Sequence, residues 1–167
     1  MRASLGFPPV YTPQARVLIL GSLPGPESLR QRQYYAQPRN AFWRLMGDLY
    51  GAGWHLAYEQ RLEALRARRV ALWDVCRSAR RPGALDQHID AASVRANDFA
   101  SLYEDCPTIE RICFNGQTAA RLYRTHVLPG LDARARDLPQ VVLPSSSPAH
   151  ASLSYEAKLQ RWAAVAG

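Results

Sequence analysis

The fold is decided by residues 16–43, which run RVLILGSLPGPESLRQRQYYAQPRNAFW. Residues 17–21 form an apolar, β-branched run, which predicts a short strand buried on both faces, as in a parallel sheet. Pro24 and Gly25 disfavour both strand and regular helix, so we expect a tight turn followed by a polar loop. A helix is predicted to begin at Asn40, because apolar residues then recur at helical spacing as far as Leu49.

The same alternation continues along the chain. With residues 16–21 as the first strand, we predict three more short apolar strands, at residues 70–75, 109–114 and 140–143. Helices are predicted from Asn40 to about Gly51 or Gly53, over residues 57–68, from a cap at Asn97 and Asp98 to about residue 105, over residues 117–126, and from Ser154 onward. This order predicts an α/β fold with a parallel sheet covered by helices on both faces. Residues 1–15 predict an irregular lead-in to a single domain spanning residues 1–167.

The charge of the chain favours an anionic partner. Its formal net charge is +7, and of its 21 basic residues only Lys158 is a lysine. Arginine suits bidentate contacts with phosphate, although such a bias can also reflect the coding preference of a genome. Nucleic acid is therefore a plausible partner. We find neither a membrane-spanning run nor a signal peptide, so we expect a cytoplasmic protein that has no membrane partner.

The cysteines and histidines do not indicate a metal site. Three cysteines are odd in number and widely spaced, which fits neither a disulfide framework nor a paired-cysteine metal motif. The four histidines also lack ligand spacing. We therefore expect no metal ion.

Polar residues and turns follow three of the predicted strands, at residues 21–25, at Asn115 and at residues 144–150. In open parallel sheets, ligands bind outside the carboxyl ends of the strands, so these segments should share one rim. Asn115 offers an amide donor and acceptor to a flat heterocycle, and Tyr34 and Tyr35 offer faces for stacking. Each feature also has an ordinary structural explanation, such as a helix cap at Asn40.

The loop after the second strand, residues 76–90, permits two interpretations. It carries Arg77, Arg80 and Arg81 and includes a Pro-Gly turn. The loop is either a solvated connection, or a segment that lines a pocket or contacts phosphate, since it leaves the carboxyl end of a strand.

Two other classes of function remain open at this point. A small-molecule serine hydrolase would use Ser22 as nucleophile and His150 or His88 as base, with Asp86 or Asp90 in support. Ser22 does not lie in a G-x-S-x-G elbow, which disfavours this hypothesis. A non-catalytic DNA-binding protein would explain the charge but would leave the asparagines at the strand ends without a role.

Four segments together resemble a known family: GSLPGPESLRQRQYYAQPRNAFW, ALWDVCRSARRPGALDQHI, ICFNG and LPSSSPAHASLSYEAKLQRW. They are similar to the uracil-DNA glycosylase superfamily, and most similar to its hypoxanthine-DNA glycosylase (DNA-deoxyinosine glycosylase) branch. The resemblance implies a three-layer α/β/α sandwich with a four-stranded parallel sheet and no cofactor. It also implies a monomeric, monofunctional enzyme that flips a deaminated base out of DNA and hydrolyses its glycosidic bond.

The resemblance assigns roles to residues of this chain. Asn40 matches the catalytic asparagine of the hypoxanthine branch, and we expect it to orient water. Ser22, Leu23 and Gly25 fall where backbone amides face the flipped base, Tyr35 where an aromatic ring stacks on it, and Asn115 where an asparagine reads its edge. Ser145, Ser146 and Ser147 match the loop that pinches the phosphate backbone, and Pro148, Ala149 and His150 continue into the segment that enters the minor groove.

The chain departs from the superfamily pattern at two positions. Leu23 stands where many members carry a water-positioning Asp or Asn, and Leu143 stands where uracil-specific branches often carry His. Both differences favour hypoxanthine as the substrate, with uracil or xanthine as further possibilities. A mismatch-specific uracil-DNA glycosylase is the alternative, and Leu23 argues against it.

Overall fold

The computed structural model describes residues 2–167 and has a central sheet of four parallel strands. No helix among these residues is long and apolar enough to cross a membrane. The strands are β1 (Ser4–Leu5), β2 (Val17–Gly21), β3 (Val70–Asp74), β4 (Cys76–Ala79), β5 (Arg95–Ala96), β6 (Arg111–Asn115) and β7 (Gln140–Leu143). The helices are α1 (Pro26–Gln31), α2 (Phe42–Tyr50), α3 (Tyr58–Ala67), α4 (Phe99–Asp105), α5 (Gln117–His126), α6 (Ala133–Arg136) and α7 (Tyr155–Trp162).

The central sheet has the strand order β3-β2-β6-β7, with every neighbouring pair parallel. All five residues of the inner strand β2 and all five of the edge strand β3 are buried, as expected for a parallel sheet covered on both faces. Because the strands are parallel, their carboxyl ends meet at one edge. The register places Gly21 beside Asp74, and Asn115 beside Leu143.

Alternate residues of the strands point to two separate hydrophobic cores. Leu18 and Leu20 of β2 pack with helices α4, α5 and α6 on one face. Val17 and Ile19 pack with α2, α3 and α7 on the other. The predicted α/β/α sandwich with a four-stranded parallel sheet is therefore confirmed.

The boundaries of the strands and most helices agree with the predictions to within about two residues. Strand β7 and helix α5 match the predicted ranges in full. The predicted caps of α4 and α7 are present, because the side chains of Asp98 and Ser154 each accept a hydrogen bond from the first turn of the helix.

Helix α1 is a correction to the loop predicted after Gly25. The helix begins directly at Pro26, with Gly25 as its N-terminal cap. Proline is tolerated at the first helical position, because its missing N–H would have no partner there in any case. The turn that we expected is therefore limited to residues 22–25.

A small antiparallel sheet, with strand order β1-β4-β5, is a second correction. Residues 1–15 were predicted to be irregular, but Ser4 pairs with Ala79 and Leu5 with Ser78. Val10 also bridges to Leu72 of the central sheet. The loop predicted over residues 76–90 begins with β4. These short strands depend on pairing with distant segments, so local sequence gives little sign of them.

Leu45 provides a test of the core on the α2 face. Its side chain is fully buried, so Leu45→Ala should lower the free energy of unfolding by about 2–5 kcal/mol. The control is Leu5→Ala, since Leu5 is 68% exposed and should change stability by less than about 0.5 kcal/mol. Equilibrium urea unfolding measures both values. Equal effects for the two variants would contradict this packing.

Candidate active site

A cleft of about 1030 Å³ opens at the carboxyl ends of the central strands. Its walls come from the turn after β2, the segment before α2, the end of β3, residues 84–87, the start of α5 and the loop after β7. Every residue that the sequence assigned to the site lines this cleft: Ser22, Leu23, Gly25, Tyr35, Asn40, Asn115, Ser145, Ser146, Ser147, Pro148, Ala149 and His150. The fold therefore brings the predicted residues together.

A second cavity, between Tyr103 and Leu138, is much smaller at about 80 Å³ and contains none of the predicted site residues. Among residues 2–167, no three His, Cys, Asp or Glu side chains lie close enough together to hold a metal ion. The large cleft is lined by side-chain amides, hydroxyls and carboxyl groups.

Arg81 holds the turn after β2 in place. Its buried guanidinium donates to the carbonyl oxygen of Pro24 at 2.6 Å and approaches that of Leu23 at 3.5 Å. Because a trans peptide directs its C=O and N–H to opposite sides, the N–H of Gly25 points away from Arg81. The side chain of Leu23 packs in a hydrophobic core, so Leu23 offers only its backbone to the cleft.

The two interpretations of the loop after β3 apply to different arginines. Arg81 is buried, lines the cleft and lies 3.7 Å from Asp86, so the pocket-lining interpretation holds for it. Arg77 and Arg80 are exposed, and Arg80 pairs with Asp90 at 2.9 Å. Residues 84–87 also line the cleft.

Tyr35 is held in an unusual backbone conformation with a φ of 54°. Non-glycine residues rarely adopt the left-handed region, and such strain is concentrated at functional sites. The ring stacks on Phe42 at a centroid distance of 3.9 Å. Tyr34 differs, because it is buried and its hydroxyl donates to the carbonyl of Pro8, so it does not offer a free face for stacking.

The Tyr35 hydroxyl is buried and makes no hydrogen bond of normal geometry. Burial is the main cause that raises the pKa of Tyr35, and Asp74 adds to it, while Asn115 acts in the opposite direction. The phenol is therefore neutral at physiological pH and can serve as a hydrogen-bond donor.

Asp74 ends β3 inside the cleft and was not predicted as a site residue. It is 4% exposed, and its Oδ2 has no hydrogen-bond partner among the described residues. Burial raises the pKa of Asp74 to about 7, with a further increase from Asp86 that outweighs the lowering by Arg81. Asp74 therefore titrates near neutral pH.

Asn40 both caps a helix and lines the cleft. Its Oδ1 accepts a hydrogen bond from the N–H of Phe42, the first residue of α2, at 2.9 Å. Asn40 thus satisfies a free N–H at the start of the helix, as expected of a cap, and it also lines the cleft. The structure places the cap position at Ala41, one residue after the predicted start. No partner is present for the Nδ2 of Asn40 among the described residues, which leaves this donor available to a ligand or a water molecule.

Asn115 fixes the serine loop after β7 through two buried hydrogen bonds. Its Nδ2 donates to the Oγ of Ser146 at 2.8 Å, and its Oδ1 accepts from the N–H of Ser146 at 2.9 Å. The carbonyl of Ser146 then accepts from the N–H of Ala41, next to Asn40. Asn115 also lines the cleft, and this pair uses one of the two N–H groups and one lone pair of its amide. Its first role is therefore to join the serine loop to the start of α2.

Gly116 allows the serine loop to approach α5 closely. Its φ is 94°, and a Cβ at this position would lie 3.2 Å from the Cβ of Ser145. At the far end of the loop, the Nζ of Lys158 donates to the carbonyl of His150 at 2.7 Å. Pro148 and Ala149 are exposed between these two anchors. The rim of the cleft thus presents small residues on a fixed backbone.

The hydroxyl of Ser22 makes no hydrogen bond with a histidine among residues 2–167. The ring of His150 instead contacts the Oγ of Ser152 at 3.4 Å. Ser22 is buried, and its hydroxyl lies beside Asp86. The hydroxyl lowers the pKa of Asp86, but burial raises that pKa by a larger amount. The arrangement of a serine hydrolase, in which a histidine contacts the nucleophile, is not formed.

Asp74 is a site residue that sequence reasoning missed, and Arg81 was named only as part of a segment with two open interpretations. The sequence did contain a signal for Asp74. The apolar run VALW is followed directly by Asp74, in the same way as the apolar run ICF is followed by Asn115. The signal for Arg81 was weaker, since two other arginines of the same segment are exposed.

An α/β/α sandwich with a large cleft at the carboxyl ends of its parallel strands belongs to the class of open α/β proteins, which bind their ligands at this edge of the sheet. Within this class, the chain belongs to the uracil DNA glycosylase superfamily, whose family model matches residues 8–166. The predicted family is therefore confirmed.

Two relatives and one solved structure make the comparison more specific. The chain is 40% identical over 161 residues to "Hypoxanthine DNA glycosylase" of Methanosarcina acetivorans, which covers 96% of both chains. It is 42% identical over 113 residues to the protein of the same name from Methanosarcina barkeri, covering 67% of this chain and 70% of the relative. A solution NMR structure from M. acetivorans, described as a uracil DNA glycosylase, superposes with a TM-score of 0.81 at 39% identity and covers 99% of this chain and 97% of the other.

Gly21 provides a test of the geometry at the base of the cleft. A Cβ at this position would lie 2.5 Å from the Oδ1 of Asp74 and 2.7 Å from the hydroxyl oxygen of Tyr35. Gly21→Ala should therefore lower the free energy of unfolding by about 1–3 kcal/mol, measured by urea denaturation. Removing the hydroxyl with Tyr35→Phe should reduce that cost.

The matched control is Gly130→Ala, because a Cβ at Gly130 would meet no atom within 4 Å. This variant should keep the stability of the wild type. If Gly21→Ala were as stable as Gly130→Ala, the close approach of Asp74 and Tyr35 to Gly21 would be wrong.

Proposed function

We propose that this chain is a monofunctional DNA glycosylase that removes deaminated bases from DNA, with hypoxanthine as its preferred substrate. The class of activity, a DNA glycosylase for deaminated bases, is confirmed by the superfamily match and by the names of the relatives. The observation that carries the choice of hypoxanthine is the 40% identity over nearly the whole of both chains to a relative of that name.

The proposed reaction begins when the damaged nucleotide rotates out of the duplex into the cleft. Tyr35 packs against the base, since its ring is fixed by stacking on Phe42. The backbone amides of the turn at residues 22–25 face the base edge, and the contacts of Arg81 with the turn carbonyls support this orientation. Amides that are held in place before the reaction stabilise the negative charge that develops on the departing base.

Asn40 is proposed to orient the attacking water. Glycosidic cleavage has an oxocarbenium-like transition state, so a positioned water can capture C1′ without a strong base. The Oδ1 of Asn40 is engaged with Phe42, which leaves the Nδ2 to hold the water oxygen. Leu23 supports this role, because its side chain lies in the hydrophobic core and cannot position water in place of Asn40.

The rim of the cleft is proposed to hold the DNA. Ser145 and Ser147 contact the phosphate backbone, Ser146 anchors the loop between them from its buried position, and residues 148–150 approach the minor groove. The two hydrogen bonds between Asn115 and Ser146 support this proposal, because they fix the loop before DNA binds. We also propose that the protein acts as a monomer and a single domain in the cytoplasm, with DNA containing deaminated bases as its partner.

A panel of duplexes, each with one lesion, tests the proposed function. The protein should release the base from inosine-containing DNA and leave abasic sites, detected as alkali-labile strand breaks. Uracil and xanthine duplexes should react more slowly, and undamaged duplex should not react. Binding without strand breaks would instead indicate a non-catalytic DNA-binding protein, and faster release of mismatched uracil would indicate the uracil-specific alternative.

Asn40→Ser separates catalysis from helix capping. Serine still accepts a hydrogen bond from the first turn, so unfolding free energy should change by less than about 0.5 kcal/mol. The amide donor is lost, so the single-turnover rate of hypoxanthine release should fall by about 10²-fold or more, while binding to the inosine duplex is kept. Asn40→Ala should show the same loss of rate with a further cost of about 1 kcal/mol in stability. A fully active Asn40→Ser variant would contradict the catalytic role.

A further inference from the structure

A carboxyl group that the steps above do not use lies at the base of the cleft. Asp74 is the last residue of β3, and its Oδ1 approaches the same point beside Gly21 as the Tyr35 hydroxyl. The Oδ2 of Asp74 and the Tyr35 hydroxyl are both buried without a partner. A buried polar group without a partner destabilises the fold, so such a pair in a ligand cleft indicates that the ligand provides the missing contacts.

The fold holds this carboxyl group in place from its backbone. The Nδ2 of Asn97 donates to the main-chain oxygen of Asp74 at 2.7 Å, and the main chain is paired in register with Gly21. Among the described residues the buried Oδ2 has no hydrogen-bond partner, while the backbone of Asp74 is fixed on two sides. A structural carboxylate would be expected to accept hydrogen bonds or to pair closely with a cation.

We propose that Asp74 is the general acid of the reaction and protonates a ring nitrogen of the departing purine, N7 or N3. This inference rests on the proposed function, since it requires a purine in the cleft. As the C1′–N9 bond breaks, its electron pair moves to the base, and the Asp74 proton is transferred to N7 or N3. The base leaves as a neutral tautomer. Water adds to C1′, and the proton that it releases restores the acid form of Asp74.

The environment of Asp74 keeps a proton available near neutral pH. Burial raises its pKa to about 7, well above the usual value of 3.8. The nearby Asp86 also favours the protonated form, and Arg81 opposes it. The titratable and charged groups that face this site from the surrounding segments are Tyr34, Tyr35, Cys76, Arg81 and Asp86. An acid with this pKa is well matched to proton transfer at physiological pH.

Leaving-group protonation also accounts for a preference among deaminated bases. Hypoxanthine carries N7 and N3 as acceptors and xanthine carries N7, whereas uracil has no such ring nitrogen. Protonation of the base removes the need to expel an anion, which lowers the barrier for purines alone. Asp74 is thus proposed to determine specificity as well as rate.

Asp74→Asn tests the proposal, because asparagine keeps the size and a hydrogen-bond donor but cannot transfer a proton. Under single-turnover conditions, the wild-type rate of hypoxanthine release should be constant below about pH 7 and fall about tenfold per pH unit above it. The variant should be about 10²-fold slower at pH 6 and should not show this fall. Uracil release and binding to the inosine duplex should change much less.

Deaza substrates identify the atom that receives the proton. If N7 is protonated, the wild type should release 7-deazahypoxanthine slowly, and Asp74→Asn should cause little further loss on that substrate. If N3 is protonated, the same pattern should appear with 3-deazahypoxanthine. An equal effect of Asp74→Asn on hypoxanthine and on both deaza analogues would overturn the proposal, as would wild-type rates for the variant at pH 6.

A stability measurement checks the protonation state without catalysis. Because the pKa of Asp74 is higher in the folded protein than in the unfolded chain, the folded protein binds more protons between about pH 4 and pH 7. The contribution of Asp74 to stability is therefore lost as the pH rises through this range. The melting temperature of the wild type minus that of Asp74→Asn should decrease from pH 5 to pH 8, and a constant difference would overturn the proposal. Failure of the wild type to release hypoxanthine would instead reject the proposed function itself.

Discussion

The cleft depends on the parallel pairing of β2 with both β3 and β6. This pairing brings three strand ends to one edge and sets Gly21 beside Asp74. Since Gly21 has no side chain, the hydroxyl of Tyr35 and the carboxyl of Asp74 can both approach it. An antiparallel neighbour would have moved one of these groups to the opposite edge of the sheet. The position of the site is thus a consequence of strand direction.

The loops around the cleft are held by a few polar contacts between distant parts of the chain. Arg81 joins the loop after β4 to Pro24, and Asn115 joins β6 to Ser146. Ser146 in turn contacts Ala41 at the start of α2. The contacts of Arg81 and Asn115 use buried side chains, so breaking either would leave a buried polar group without a hydrogen-bond partner. The site is therefore arranged before a ligand enters, which is what catalysis by fixed dipoles requires.

The sequence predicted the central sheet well, because its strands are short apolar runs whose signal is local. Strand β7 and helix α5 were predicted to the residue. Helix α1 was missed because proline usually breaks a helix, although it is favoured at the first position. The small sheet was missed because β1 has only two residues and pairs with a strand more than 70 positions away.

The candidate site was predictable in location and less so in chemistry. Strand ends and motif resemblance indicated Asn40, Tyr35 and Asn115, and all three line the cleft. The hydrogen-bond partner of Asn115 was not predictable, because Ser146 lies 31 residues further along the chain. The raised pKa of Asp74 could not be predicted either, since it depends on burial and on the opposing charges of Asp86 and Arg81.

The proposed division of work between Asn40 and Asp74 follows from the transition state. When the bond to the base breaks well before water attacks, most of the barrier lies in separating charge between sugar and base. A general base that removes a proton from the water then lowers the barrier only slightly, so an amide that orients the water is sufficient. A general acid that protonates the departing nucleobase lowers the barrier more, because it acts where the negative charge develops. Each 1.36 kcal/mol of stabilisation of this charge raises the rate about tenfold. A protonated carboxyl group placed against the leaving group therefore contributes more to this reaction than a carboxylate placed beside the water.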